Sequence, residues 1–492
     1  PDAFDGPREI TVTAASDTAL PEIERETFRN NADESEPSPD GEEIAIVVRG
    51  EIFVIKTEEG KLTRRVTDSP YRDRSVNWSP DGKALFFISD RSGNEQIYRA
   101  RSAEEPEAAL SDSMRFKIEQ VTDGADPCFH PVVSPDGKKL AYTRLRGDLI
   151  IRDLKSGDEQ VLLESWDQPG FEWSADSKWL AYSVEDIEHN SDVWVVPADG
   201  KAAAVNISQH PDGDGNPQWS YDGKMLAFTS QRHGFDSDVY VVFLAPELNE
   251  LSGVELDEYF KAQNEALKKR KPVKNAVASG KIRLAGELAE TQPAEDVKEE
   301  TKPDKADADE GEDGDEESLS DQLRTLLKKF LEEPSGDKDE DSKDKPAAKK
   351  DEKKKYEIDL ATAYKRVRRV TNLPNNQYQF ALAPSGEMLA FTSNHADGTK
   401  LYTIKWNGSE QKQILSGGVG ALRWSLKGDK LYYLRGGVPN SCSATGSGAK
   451  AHAFRAKMAI DYIAEARQKF EDAARALGRG FYHPTLKGLD WP

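Results

Sequence analysis

Residues 75–100 read SVNWSPDGKALFFISDRSGNEQIYRA, and this stretch decides the fold. Pro80, Asp81 and Gly82 signal a turn, because proline presets φ, aspartate bonds the local backbone and glycine accepts a positive φ. The flanking runs are rich in Val, Ile, Leu, Phe and Tyr, which is typical of strands. The stretch therefore predicts a short strand ending in Trp-Ser, a tight turn, and two further strands.

The same unit recurs along the chain, and we count seven copies. Consecutive turn positions are roughly 40 to 55 residues apart, as in propeller blades, except for one gap of about 160 residues. A fourth strand, such as EQVTD from Glu119, often closes the unit, and four antiparallel strands make one blade. The sequence therefore predicts an all-β fold, a seven-bladed β-propeller with four-stranded antiparallel blades, rather than a β-sandwich of unrelated hairpins. The turn positions are Gly41, Gly82, Gly137, Ser177, Gly223, Gly386 and Gly428.

The repeats divide the chain into five segments. The first, residues 1–20, holds a strand within REITVTA from Arg8 that we expect to close the last blade. The others are blades one to five in 21–245, a charged low-complexity insertion with short helices in 246–355, blades six and seven in 356–455, and a helical segment in 456–492. These boundaries place a largely disordered insertion between blades five and six.

Helical patterns occur in the insertion and in the tail. LDEYFKAQNEALKKRK from Leu256 predicts a polar helix, and SLSDQLRTLLKKFLEEP from Ser318 predicts a second, whose apolar face indicates either a docking helix or an incidental one. That face comprises Leu319, Leu323, Leu326 and Phe330. The tail helix must pack on something, because its apolar side chains share a face: Ala459, Ile463, Ala466, Phe470, Ala473 and Leu477.

The net charge of -22 and the pI near 5.0 argue against binding to nucleic acid or to anionic membranes. No apolar run reaches the length of about 20 residues that a membrane span needs. Cys128 and Cys442 are too few for a zinc quartet or a disulfide framework, and they fit a reducing compartment.

No residue pattern identifies a catalytic, cofactor-binding or metal site, and substrate-binding residues stay unknown at this stage. The seven histidines are scattered among different blades without metal-ligand spacing. A Gly-x-Ser-x-Gly nucleophile motif is absent from the sequence. Four tryptophans fall at one repeat position and are predicted to pack between neighbouring blades: Trp78, Trp173, Trp219 and Trp424.

The SPDGK-type blades resemble those of TolB-like and tricorn-type propellers. PDAFDGPREITV from Pro1 is similar to the junction that enters the second, seven-bladed propeller of tricorn-type serine peptidases. The segment from Ala456 to the final FYHPTLKGLDWP resembles the opening of their catalytic region. The resemblance covers nearly the whole chain except the insertion, so we interpret the chain as a fragment with a truncated catalytic region at 456–492.

The resemblance implies a serine-type peptidase that degrades peptides or unfolded proteins and assembles as a homo-oligomer. In that family the propeller admits or filters substrate, and the catalytic residues would lie outside residues 1–492. The implied location is cytoplasmic, or periplasmic if a signal peptide precedes the chain. Two alternatives stay open: a non-enzymatic TolB-like scaffold for a protein partner, and the propeller of a prolyl-oligopeptidase-type enzyme.

Overall fold

A computed structural model describes residues 23–58, 62–234, 236–287, 356–377 and 379–480. Seven antiparallel sheets of four strands succeed one another along the chain, and this confirms the predicted seven-bladed propeller. Apolar side chains of adjacent sheets pack face to face, so the core is divided among the interfaces between blades.

Each of the first four blades is built from consecutive strands. Blade one comprises β2 (Ala32–Pro37), β3 (Glu43–Val48), β4 (Glu51–Lys56) and β5 (Arg64–Arg65). Blade two comprises β6 (Arg74–Trp78), β7 (Ala84–Ser89), β8 (Gln96–Ser102) and β9 (Phe116–Gln120). Blade three comprises β10 (Cys128–Val133), β11 (Lys139–Arg144), β12 (Asp148–Asp153) and β13 (Glu159–Leu163). Blade four comprises β14 (Gly170–Trp173), β15 (Trp179–Glu185), β16 (Ser191–Pro197) and β17 (Val205–Asn206).

The last three blades follow the same order. Blade five comprises β18 (Asp214–Trp219), β19 (Met225–Ser230), β20 (Asp238–Phe243) and β21 (Val367–Arg369). Blade six comprises β22 (Phe380–Leu382), β23 (Met388–Ala396), β24 (Gly398–Lys405) and β25 (Lys412–Ser416). Blade seven comprises β26 (Gly420–Trp424), β27 (Leu431–Arg435), β28 (Val438–Cys442) and β29 (Lys450–Ala451).

The turn between the first and second strands has the predicted aspartate chemistry in blades one to five. In blade two the Ser79 hydroxyl donates to an Asp81 carboxylate oxygen at 2.8 Å and accepts the backbone N–H of Ala84 at 2.9 Å. The turn glycines adopt φ between +70° and +81°, and Ser177 in the equivalent position adopts +61°. Such a backbone is open to glycine without steric cost, which is why glycine fills six of the seven positions.

The four repeated tryptophans lie between blades, as predicted. Each indole N–H donates to a backbone carbonyl of the first strand of the preceding blade. The acceptor carbonyls belong to Glu36 for Trp78, Val132 for Trp173, Glu172 for Trp219 and Ala381 for Trp424. A buried indole with a satisfied N–H contributes a large apolar area and fixes the distance between blades.

The position predicted for the insertion, between blades five and six, was wrong. Strand β21 pairs with β20, so the inserted chain lies within blade five, between its third and fourth strands. Residues 246–287 contain the polar helix predicted from Leu256, and its apolar side packs on blades five and six. They include α1 (Pro246–Glu250), α2 (Gly253–Lys268) and a short 3-10 helix (Val277–Ser279), and a second 3-10 helix (Ala363–Arg366) precedes β21. The second predicted insertion helix, at residues 319–330, lies outside the described residues.

The two ends of the repeat array meet in a separate two-stranded ribbon. Strand β1 (Ile23–Phe28) pairs antiparallel with β30 (Ala456–Asp461), and α3 (Tyr462–Gly480) follows directly. Within the described residues the seventh sheet is complete with four strands of its own, and it needs no strand from the start of the chain. The strand expected in residues 1–20 lies outside the described residues, as does FYHPTLKGLDWP from Phe481.

Candidate functional site

The first strands of neighbouring blades contact one another around the propeller axis. Four of these strands carry a β-bulge at one repeat position, where a residue other than glycine adopts φ between +50° and +55°. Bulges of this kind interrupt the ladder and redirect side chains. The bulge residues are Ser75, His130, Asn216 and Ala421. Four of the innermost strands thus share one repeated departure from regular pairing beside the propeller axis.

One level of the channel is formed by the residue that precedes the tryptophan position in each blade. Side chains at this level accept backbone N–H groups of the next blade: Asn77 from Val133 at 3.0 Å, and Gln218 from Leu382 at 2.8 Å. We call this level the collar, and it comprises Glu36, Asn77, Val132, Glu172, Gln218, Ala381 and Arg423. Its hydrogen bonds connect blades that share no β-ladder.

Three collar residues carry charge. The Arg423 guanidinium in blade seven lies 3.4 Å from a Glu36 carboxylate oxygen in blade one, and it also interacts electrostatically with Glu172 in blade four. Arg423 therefore interacts with carboxyl groups of two other blades, one and four. The Glu36 charge raises the pKa of Arg423, so the guanidinium is a permanent cation at this level.

The two collar carboxyls are not equivalent. Burial raises the pKa of Glu36, and the nearby Arg423 charge opposes that rise. Burial also raises the pKa of Glu172 to about 7, although Glu172 accepts the backbone N–H of Trp219 at 2.6 Å. The Glu172 carboxyl therefore gains its charge near neutral pH, which makes the net charge of the collar depend on pH.

The wild-type protein is expected to lose stability between pH 5 and pH 8, and Glu172→Gln is expected to abolish this loss. The folded protein holds a proton on Glu172 in the window between about 4.5 and 7, where the unfolded chain has released it, so the free energy of unfolding falls as pH rises. Each pKa unit corresponds to about 1.4 kcal/mol, and partial contact with solvent reduces the expected difference to about 1–2 kcal/mol.

Glutamine keeps an oxygen to accept the Trp219 N–H, so the variant isolates the charge. Urea unfolding of both proteins at pH 5.5 and pH 8 measures the effect. Glu188→Gln, at an exposed carboxylate of the same blade, serves as the control. Equal pH slopes for the wild type and Glu172→Gln would contradict the account of the collar.

A single chain segment spans the face of the propeller that carries the Pro-Asp-Gly turns. It starts with α2, whose Ser252 and Glu255 form a capping box and whose buried Leu256 and Phe260 pack against blades five and six. At the end of α2 the Arg270 guanidinium lies 3.7 Å from the ring centroid of Tyr221, in the turn of blade five. Its Nη1 also donates to the carbonyl of Leu426, in the turn of blade seven, at 3.4 Å.

Only six residues later the segment reaches the opposite blades. The backbone N–H of Ala276 donates to Asp81, in the turn of blade two, at 2.9 Å. The backbone N–H of Ala278 donates to the carbonyl of Gly137, in the turn of blade three, at 2.9 Å. The approach is so close that a Cβ on Gly137 would lie 2.6 Å from the Ala276 Cβ. Residues 270–276 therefore cross the mouth of the channel, and we call them the strap.

Buried Arg99 of β8 anchors the far end of the strap. Its guanidinium donates to the carbonyls of Ala278 and Gly280, both at 2.8 Å, and it pairs with the buried Glu119. Contacts with three cations (Lys117, Arg99 and Arg101) hold the pKa of Glu119 at about 2, although burial opposes this. The chain then runs outward, with the Arg283 N–H donating to the Leu154 carbonyl at 2.8 Å.

The remaining sequence candidates are dispersed in the structure. Among the described residues, no group of three His, Cys, Asp or Glu side chains could hold a metal ion. Cys128 and Cys442 are buried free thiols, and burial raises the pKa of Cys128 to about 11. None of the helices in the described ranges is long and apolar enough to cross a membrane.

The sequence reasoning missed both the collar and the strap. Glu36, Glu172 and Arg423 occupy one position of the repeat. An alignment of the seven copies would have placed these three charged residues in the same column, next to the propeller axis. The strap gave no such signal, because LKKRKPVK from Leu267 has the composition of a solvated linker.

Comparison with known proteins supports the reading of the blades. Residues 32–243 match the family model of the tricorn protease second beta propeller domain. The crystal structure of the tricorn protease aligns with a TM-score of 0.61 and 15% identity, covering 96% of this chain and 39% of that chain. At that identity the likeness concerns the fold alone.

Two curated relatives match shorter stretches. An uncharacterized protein of Agrobacterium fabrum is 26% identical over 163 residues, which are 30% of this chain and 52% of that protein. The Tol-Pal system protein TolB of Bordetella pertussis is 43% identical over 49 residues, which are 10% of this chain and 11% of TolB. The matched parts thus span about half of the first relative and a small part of the second. The chain is a seven-bladed β-propeller whose residues 32–243 match the second β-propeller domain of the tricorn protease family.

Proposed function

We propose that this propeller is the substrate-admitting part of a tricorn-like serine peptidase that acts on peptides or unfolded proteins. The observation that carries the proposal is the collar, in which Arg423 interacts with both Glu36 and Glu172 from other blades. A charged constriction selects what passes, because charges of the same sign repel and opposite charges attract. The family match over residues 32–243 supports a peptidase as the parent protein.

The proposal locates the chemistry outside this chain. The isolated chain should leave fluorogenic peptides intact, whereas the longer protein that carries it should hydrolyse them. The oligomeric assembly and the cytoplasmic location that the resemblance implies stay predictions.

Arg423→Glu in the longer protein is expected to change charge selectivity. The collar would then carry three carboxyl groups, so peptides with acidic flanks should lose kcat/KM by about tenfold relative to peptides with basic flanks. The measurement compares two peptides with one scissile sequence and flanks of Glu or Lys. Arg115→Glu makes the same charge change at a side chain that is 73% exposed, away from the channel.

Equal ratios of kcat/KM in the wild type and Arg423→Glu would show that substrate does not pass the collar. The match of 49 residues to TolB favours a second candidate, a scaffold that binds a protein partner. Absence of hydrolysis in the longer protein, together with stable binding of a partner by the isolated propeller, would favour that scaffold.

A further inference from the structure

The two ends of the strap are held very differently. The far end has the backbone hydrogen bonds of Ala276 and Ala278, the two carbonyls on Arg99, and a bond from the Ser279 hydroxyl to Asp81. The near end continues from α2, whose Leu267 is buried, and beyond that helix the blades hold it through Arg270, stacked on Tyr221 and bonded to the Leu426 carbonyl. Loss of the Arg270 side chain would therefore loosen the residues between α2 and the far end, while α2 and the far end stay fixed.

The middle of the strap has little to hold it. Within the described ranges, residues 271–275 donate no hydrogen bond to the blades. Lys271 and Lys274 are exposed and form no ion pair there, and Val273 is 39% exposed. A segment with solvated side chains and few backbone bonds opens at low cost in free energy.

The strap lies at the mouth of the axial channel. The turns of blades two, three, five and seven that hold it surround the channel mouth, and adjacent turns touch: the Pro80 ring lies 3.1 Å from the point where a Gly137 Cβ would stand. A chain that leaves or enters by this mouth must pass beside the strap.

We propose that the strap limits the size of what passes the turn-side mouth of the channel, with Arg270 as the latch that keeps it in place. This inference rests on the proposed function, because it assigns the size limit of the same channel. The substrates admitted with the latch closed are short peptides. A longer unfolded chain enters efficiently only when residues 270–275 move aside between α2 and the firm far end.

The test compares two substrates in the longer protein: a fluorogenic tetrapeptide and fluorescein-labelled, unfolded casein. Arg270→Ala is expected to raise the rate of casein hydrolysis about threefold or more and to leave the rate of tetrapeptide hydrolysis unchanged. The factor corresponds to the free energy of one modest contact that no longer holds the strap closed. Arg270→Lys, which keeps a cation near the Tyr221 ring, should restore part of the limit. Arg115→Ala is the control for loss of an arginine elsewhere.

A second readout follows the strap itself. Trypsin should cut the native Arg270→Ala variant within the strap faster than it cuts the wild type, while the two proteins keep the same melting temperature. The diagnostic site is Lys274, because Pro272 slows cleavage after Lys271. If Arg270→Ala does not fold, Tyr221→Leu removes the ring beneath the latch instead. If trypsin cuts the strap of Arg270→Ala but the ratio of the casein rate to the tetrapeptide rate is unchanged, the inference about the strap is wrong and the proposed function still stands. Absence of hydrolysis of both substrates by the wild type would overturn the proposed function and this inference with it.

Discussion

Arg99→Ala is expected to lower the free energy of unfolding by about 2–4 kcal/mol, because it removes a buried guanidinium from one ion pair and two hydrogen bonds, although Glu119 keeps its contacts with Lys117 and Arg101. The Arg99 side chain is 2% exposed and its partner Glu119 is 4% exposed. Its loss also leaves the Ala278 and Gly280 carbonyls without their donor, and a buried acceptor left unpaired is costly. Guanidinium chloride unfolding, followed by tryptophan fluorescence, measures the change.

Arg101→Ala is the matched control. Arg101 also reaches Glu119, at 3.2 Å, but its side chain is 29% exposed. It makes no contact with residues 278–280 in the described structure, so its removal should cost under about 1 kcal/mol. If both variants lose the same stability, the special role assigned to Arg99 is wrong.

Trp219→Ala is the second large effect that the structure predicts, with a cost of about 3–5 kcal/mol. Trp219 is 7% exposed and packs with Phe228 and Ile207 in the interface between blades four and five. Its indole N–H donates to the Glu172 carbonyl, and its backbone N–H donates to the Glu172 carboxylate. Truncation would leave a cavity between two blades and loosen the collar residue that gains its charge near pH 7.

The comparison variant is Trp166→Ala, at a tryptophan that is 46% exposed. Its removal should change the free energy of unfolding by under about 1 kcal/mol, as expected for a surface site. Thermal melting monitored by circular dichroism separates the two variants. Similar melting temperatures for both would mean that the repeated tryptophans do not join the blades.

The blades could be predicted because their signals are local. Pro80, Asp81 and Gly82 specify a turn by their own backbone preferences, and the place of Ser177 in the repeat identifies it as a turn residue, which adopts a φ of +61°. The same argument placed Trp78 and Trp219 between blades. Local chemistry repeated seven times leaves little ambiguity about the fold.

The strap and the collar depend on contacts between distant parts of the chain, and single residues make those contacts. Arg99 donates a hydrogen bond to the carbonyl of Ala278, and Arg423 forms an ion pair with Glu36. In both cases the partners lie far apart in the sequence, so no local pattern predicts the contact. The sequence predicts the helix from Leu256 but gives no sign that Leu256 and Phe260 bury their apolar surface against blades five and six. Tertiary packing decided this part of the structure.

The location of β21 has a consequence for synthesis of the protein. In blade two, 13 residues separate the third strand from the fourth, whereas blade five requires 123 residues between β20 and β21. Closing the longer connection costs about 2 kcal/mol more in chain entropy. Until residue 369 has left the ribosome, the strand DVYVVF, whose six residues are all buried in the folded protein, is an unpaired sheet edge, which other nascent chains can join. Blade five is therefore the point at which the growing chain is most exposed to aggregation, and its late closure sets the order in which the ring can form.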